Sequence, residues 1–118
     1  MRQIILGAVV AVLLPVAAQA QDAAAGEKAF AVCKACHAFG KNGVGPDLKG
    51  VIGRKAGTHE GYNYSAPMKS SGLTWDEPTM KKWLADPKGT VPGTKMVYAG
   101  MKDEKKLDDL VAYLKTQQ

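Results

Sequence analysis

The sequence predicts a small all-α domain in which three main helices are joined by long loops. Residues 22–37 and 103–116 carry apolar side chains at helical spacing, and a third helix is expected to begin near Thr74. Glycine and proline punctuate the segments between these helices, and the alternating apolar pattern of strands is nearly absent. The chain of 118 residues is long enough for one domain.

Residues 1–20 predict a secretory signal peptide rather than part of this domain. Arg2 precedes an apolar run over residues 4–16, and Ala18-Gln19-Ala20 has the small residues of a cleavage site. An uncleaved membrane anchor is the alternative, but the run is shorter than the ~20 residues that span a bilayer. We therefore expect cleavage after Ala20 and a mature domain over residues 21–118 with no permanent membrane anchor.

The first helix of the domain is predicted over residues 22–37. Asp22 is a suitable N-cap, and Gly26, Phe30 and Cys33 share one face at positions i, i+4 and i+7. Glycine inside a helix costs about 1 kcal/mol relative to alanine. Gly26 therefore predicts that another backbone crosses this helix closely.

Two long loops separate the helices. Residues 41–61 and 88–100 contain too many glycines and prolines for regular structure, and we predict loops there. A short helix is expected between them, within residues 65–71. The last helix, over residues 103–116, has an apolar stripe made of Leu107, Leu110, Val111 and Leu114.

The middle helix is predicted from its first turn. Thr74 and Glu77 fit a capping box, in which the two side chains satisfy two otherwise unpaired backbone N–H groups. Pro78 then falls in the first turn, where its missing N–H is tolerated. The helix is expected to stop at Asp86, because a proline follows it. Its apolar face is made of Met80, Trp83 and Leu84.

The run Cys33-Lys34-Ala35-Cys36-His37 is the attachment motif of c-type haem. Two thiols at i and i+3 lie on one face of a helix, so both can reach the vinyl groups of one porphyrin. His37 follows directly and is placed to bind the iron. Structural zinc would need about four nitrogen or sulfur ligands, and besides these three residues the sequence offers only His59. A thioredoxin-like redox pair would need βαβ patterning, which the flanking segments lack.

The ligand that faces the iron opposite His37 decides what such a site does. A thioether closes the site and raises the reduction potential, whereas an exchangeable position permits gas binding or peroxide chemistry. Met80 shares the apolar face of the middle helix and is expected to be core. Met96 follows a proline-stiffened loop that could wrap the haem, so the pattern favours it while other methionines stay possible. The full set of candidates is Met68, Met80, Met96 and Met101.

From Gly26 onward the chain resembles the class I monohaem cytochromes c of mitochondria and bacteria. The matching runs, in family order, are 33–37, 45–48, 53–57, 72–75 and 92–96 with 99–100. The resemblance implies a small cytochrome c fold wrapped around one haem c, which is attached through Cys33 and Cys36 and ligated by His37 and Met96.

The resemblance also assigns roles to residues around the haem. The carbonyl of Pro46 is expected to accept the N–H of the proximal histidine and so orient its ring. Met68, Trp83 and Tyr98 depart from residues common in the family, and we expect them to alter the tuning of the haem. The side chains expected to hydrogen-bond or shield the haem propionates are Arg54, Tyr64, Trp75 and Thr94.

The function implied by the resemblance is one-electron transfer rather than enzymatic catalysis. The bacterial members of this class receive their haem outside the cytoplasmic membrane, so the periplasm is the expected location. A haem enzyme or gas sensor in which Met96 leaves the iron is the alternative, but His59 is expected to be solvated rather than an acid–base catalyst. An electron-transfer module docked permanently to a larger enzyme is a third possibility.

The predicted domain is basic, and its positive charge is almost entirely lysine. The chain has a formal net charge of +5, and Arg54 is the only arginine after the leader. Because arginine is favoured for bidentate contacts to bases, this composition argues against a nucleic-acid partner. Lysines suit brief docking of a monomer on acidic redox proteins, such as a cytochrome bc complex, a cytochrome oxidase, a photosynthetic reaction centre or a peroxidase. The resemblance suggests that the docking lysines are Lys28, Lys41, Lys88, Lys95 and Lys102.

Overall fold

The structure, a computed structural model, describes residues 7–10 and 21–118. Within these residues the only β contact is an isolated antiparallel bridge between Lys55 and Thr74, so the all-α prediction is confirmed. Most of the predicted leader, with its cleavage site after Ala20, lies outside the described residues. The helices are α1 (Ala23–Ala29), α2 (Ala66–Lys69), α3 (Glu77–Ala85), α4 (Pro87–Thr90) and α5 (Glu104–Lys115).

The first and last helices cross at Gly26. A Cβ atom there would meet the backbone carbonyl of Asp109 and lie 2.8 Å from the Cβ atom of Tyr113, so the predicted close approach is present. The Asp109 carboxylate also accepts hydrogen bonds from the Asp22 backbone N–H, at 2.9 Å, and from the Lys105 ammonium, at 2.6 Å. These contacts join the beginning of the domain to its last helix.

The core is built on the apolar stripe of α5, against which Phe30 and helix α3 pack. Leu107, Leu110, Val111 and Leu114 are each at most 3% exposed, as their helical spacing predicts. Phe30 packs on this side through its stacked contact with Phe39 and a tilted contact with Tyr113. Helix α3 contributes Met80, Trp83 and Leu84 to the same buried cluster.

The end of the first helix and the start of the second long loop differ from the prediction. The first helix ends at Ala29, and the chain continues as a tighter 3-10 turn over Phe30–Cys33. Asp22 caps its start as predicted, accepting from the N–H groups of Ala24 and Ala25. The short α4 occupies part of a predicted loop, because the Asp86 carboxylate accepts a hydrogen bond from Gly89 N–H and so caps a new turn. Helix α2 lies within the predicted residues 65–71.

The predicted capping box at Thr74 is wrong. Asp76 caps α3 instead, its carboxylate accepting from Thr79 N–H at 2.9 Å. Thr74 is held extended by the bridge to Lys55, in which Trp75 N–H donates to the Arg54 carbonyl at 2.9 Å. Pairing with a segment distant in the sequence therefore overrides the local capping signal. Pro78 does lie in the first turn, as predicted.

Candidate functional site

One cavity of about 410 Å³ opens between the helices and the two long loops. Its size falls within the range of roughly 300–1,000 Å³ that is usual for sites of small molecules and cofactors. The cavity wall is mostly apolar and includes Leu48, Val51, Leu84, Leu110 and Leu114. It also brings together the nine residues for which the sequence predicts a role: Cys33, Cys36, His37, Pro46, Arg54, Tyr64, Trp75, Thr94 and Met96.

The two cysteines reach the cavity from the turn that follows α1. Cys33 ends the 3-10 turn, and the N–H groups of Cys36 and His37 both donate to its carbonyl, at 3.1 and 2.9 Å. This turn places both free thiols on the cavity wall, Cys33 half-buried and Cys36 exposed. Burial, together with the neighbouring Cys36, raises the pKa of the Cys33 thiol.

The imidazole of His37 is fixed by the segment that follows it. Its Nδ1 atom lies 2.9 Å from the carbonyl oxygen of Pro46, the hydrogen bond that the resemblance implies. A carbonyl only accepts, so Nδ1 carries the proton and Nε2 keeps a lone pair suited to a metal ion. Gly45 packs on the ring so closely that a Cβ atom at this position would overlap it. The backbone at residues 45–46 therefore sets both the tautomer and the orientation of the ring.

The loop after α4 carries Met96 to the same cavity. Thr94 N–H donates to the Val91 carbonyl at 3.1 Å, and the Thr94 hydroxyl accepts from Met96 N–H at 3.2 Å. This turn presents a half-buried Met96 side chain. The thioethers of Met68 and Met80 also line the cavity, but both are buried core residues on helices. Met96 is the one of the three on a loop that reaches the cavity from outside the helical core.

Polar side chains gather on one part of the cavity wall. Arg54 donates from Nη2 to the Asp47 carbonyl at 2.8 Å, and the hydroxyl of Tyr64 accepts from His59 N–H at 3.2 Å. Trp75 is 6% exposed and joins this wall through its backbone bond to Arg54. The prediction that His59 is solvated is wrong, because its half-buried ring contacts Arg54 and Asp47.

Several cavity residues were not expected from the sequence. The hydroxyl of Tyr62 donates to the Val44 carbonyl at 2.7 Å, and its ring packs edge-on against Tyr64. Val32, Val44 and Val97 line the cavity although they are 64%, 74% and 96% exposed. Val44 and Val97 are isolated in loops and Val32 lies in the 3-10 turn away from the predicted apolar face, so the sequence pattern holds no signal for this apolar rim.

Residues 23–118 match the family model described as cytochrome c. The chain belongs to the cytochrome c family. It is 48% identical over 118 residues to cytochrome c2 of Blastochloris viridis, covering 98% of this chain and 93% of the relative. Its identity to cytochrome c2 iso-2 of Magnetospirillum fulvum is 60% over 90 residues, covering 75% and 94% of the two chains.

A solved structure supports the same family. The fold is similar to that of cytochrome cH from Methylobacterium extorquens, with a TM-score of 0.79 and 68% sequence identity. The match covers 80% of this chain and 98% of the other. The expected class I monohaem cytochrome c and its small all-α fold are thereby confirmed.

The residues around the cavity fit a covalently bound haem c, the group that the family implies. Two free thiols, an imidazole with Nε2 available and a thioether line one cavity. These are the donors that c-type attachment and His/Met ligation require. The apolar wall suits a porphyrin, and the polar side chains Arg54 and Tyr64 suit its carboxylate edge.

Proposed function

We propose that this cytochrome c is a one-electron carrier that holds one haem c on Cys33 and Cys36, with His37 and Met96 as axial ligands. The observation that carries the proposal is that these four side chains, from two separate segments, line one apolar cavity. When bound, the haem supplies an iron that alternates between the ferric and ferrous states. The names of the relatives, which include cytochromes c2, support the same function.

The polypeptide has three tasks in this proposal. Leu84, Leu110 and Leu114 exclude water from the cavity. The Pro46 carbonyl holds the His37 ring in one tautomer, and the Thr94 hydroxyl holds the turn that presents Met96. Because hydrogen bonds within the polypeptide fix both ligands, neither has to move when the iron changes its charge. A fixed site of this kind suits fast electron transfer with no bond made or broken.

The absorption spectrum of the protein tests this proposal, after expression in a host that matures c-type haem. We expect sharp low-spin bands on reduction, a weak long-wavelength band of methionine–iron ligation on oxidation, and no change with carbon monoxide. A high-spin spectrum, or ready binding of carbon monoxide, would contradict a closed carrier. That result would favour an enzyme or sensor with an open iron.

The location and partners are part of the proposal. We propose that the chain is exported by residues 1–20 to the periplasm and acts there as a monomer. Among the described residues, none of the helices has the length and apolar character needed to cross a membrane. Acidic redox proteins, such as a cytochrome bc complex, a cytochrome oxidase, a photosynthetic reaction centre or a peroxidase, are the proposed partners. The five lysines proposed for docking, Lys28, Lys41, Lys88, Lys95 and Lys102, are all exposed.

Neutralising Lys88 and Lys95 together is expected to slow electron transfer from an acidic donor at low salt. Electrostatic steering raises on-rates by about 10- to 1,000-fold in all, so removing two charges should cost about three- to tenfold. The rate of reduction by a purified acidic protein, for example a reduced flavodoxin, measures this effect. The difference should vanish near 1 M salt, where the screening length falls to about 3 Å.

The double variant K69Q/K106Q is the matched control, because it removes the same charge from exposed lysines that do not line the cavity. If both double variants slow the reaction equally, net charge rather than a docking face is responsible. If neither does, Lys88 and Lys95 lie outside the docking face.

A further inference from the structure

His59 lies between a cation and an anion beside the cavity. Its Nδ1 atom is 3.2 Å from Arg54 Nη1, and its Nε2 atom is 3.7 Å from Asp47 Oδ2. Arg54 also donates from Nη2 to the Asp47 carbonyl at 2.8 Å, so the three side chains form one cluster. Arg54 is the member of this cluster that reaches the cavity wall.

The chemistry of Arg54 fixes the proton on His59. A guanidinium only donates hydrogen bonds, so Nδ1 of His59 must accept and its proton must sit on Nε2, which faces the Asp47 carboxylate. A second proton, on Nδ1, would remove the acceptor from Arg54 and place two cations side by side. The contact between His59 and Arg54 therefore exists only while the imidazole is neutral.

The Asp47 and Tyr64 side chains, which also face His59, each keep one charge state near neutral pH. The Asp47 carboxylate accepts from the N–H groups of Gly40 and Lys49, at 2.7 and 2.8 Å. Although burial raises the pKa of Asp47, these bonds and the nearby His59 and Arg54 hold it below its ordinary value. Tyr64 faces the His59 backbone, and burial raises the pKa of its hydroxyl. Glu60, the next residue along the chain, is exposed.

We propose that His59 is a positioning residue, which accepts a hydrogen bond from Arg54 Nη1 when neutral and loses that contact when protonated, so that the reduction potential depends on pH. The inference rests on the proposed function, since it concerns the haem that the cavity would bind. Protonation adds a positive charge beside the cavity while Arg54 keeps its bond to the Asp47 carbonyl, and a nearby positive charge favours the state that has one more electron. The potential should therefore rise as the pH falls from about 8 to about 5, where histidine changes its charge.

Two variants of His59 distinguish the effect of its hydrogen bond to Arg54 from the effect of its change in charge. H59N keeps an acceptor where Nδ1 lies but does not titrate, so it should hold the potential near its value at high pH and abolish the slope. H59A removes the acceptor, so it should shift the potential at every pH and also lose the slope. A slope that survives in H59N would overturn the proposal, because another group would then carry it.

Nitrogen-15 NMR of the haem-loaded wild-type protein provides a readout that needs no variant to fold. At high pH we expect the His59 ring to be protonated on Nε2 and bare on Nδ1, with the Arg54 side-chain signals shifting in step with its titration. A ring protonated on Nδ1 at high pH, or Arg54 signals that do not follow it, would overturn the proposal. Failure of the carrier function itself would be seen separately at constant pH, as a high-spin absorption spectrum or as ready binding of carbon monoxide to the iron.

Discussion

M96A is expected to open the iron of the haem-loaded protein. The weak long-wavelength band should disappear, carbon monoxide should bind, and the reduction potential should fall by a sizeable part of the roughly 0.8 V that axial ligands span. The physical reason is that a thioether favours ferrous iron, and alanine leaves this position to water. Absorption spectra and a redox titration of the loaded protein measure the three changes.

The matched control is M101A, which removes the same side chain from a half-buried residue that does not line the cavity. Its spectrum should match that of the wild type. Because Met68 also lines the cavity, M68A distinguishes the two thioethers. A spectrum that survives M96A but is lost in M68A would assign the sixth ligand to α2 and contradict the proposed site.

G26A is expected to lower the free energy of unfolding by about 2 kcal/mol or more. The added methyl would meet the backbone carbonyl of Asp109, which cannot turn aside as a flexible side chain can. Overpacking typically costs about 1–3 kcal/mol and occasionally more. The overlap here is with backbone, which puts the cost at the upper end of that range, and the better helix propensity of alanine offsets only about 1 kcal/mol. Denaturant unfolding of the haem-loaded protein, followed by far-UV circular dichroism, measures the loss.

G43A is the control for the added methyl. Its Cβ atom would lie 3.6 Å from the Cys36 carbonyl oxygen, which is an ordinary contact, and the backbone there has no positive φ. We expect it to be neutral or slightly stabilising, since alanine reduces the freedom of the unfolded chain. Equal stability of G26A and the wild type would mean that the two helices move apart freely, and that their close crossing is not required.

Local signals predicted the parts of the fold that depend on neighbouring residues. Asp22 caps α1, and the stripe from Leu107 to Leu114 is buried along α5, because caps and helical faces are set within a few residues. The cap predicted at Thr74 was wrong, since the bridge to Lys55 joins segments that a window along the sequence does not connect. For the same reason, Gly26 within a helix predicts that another backbone crosses closely, but it does not predict which segment crosses there.

In the candidate site, too, features set by neighbouring residues were predictable and features set by distant residues were not. The thiols and the imidazole lie within one five-residue motif, so their spacing alone indicates the cofactor. Among four methionines the loop pattern favoured Met96, and the resemblance then assigned it as the axial ligand. The contacts of His59 were not predictable, since Asp47, Arg54 and His59 meet only after the loop over residues 41–61 has folded back on itself.

The crossing of α1 and α5 also dictates when the chain can finish folding. The bond between Asp22 and Asp109 closes a loop of 87 residues, so the first helix has no partner until nearly the whole polypeptide is available. A chain threaded across a membrane from its N-terminus would therefore stay open during transit. If the chain is exported as proposed, the cysteines that follow α1 would cross before α5 is available to pack on that helix.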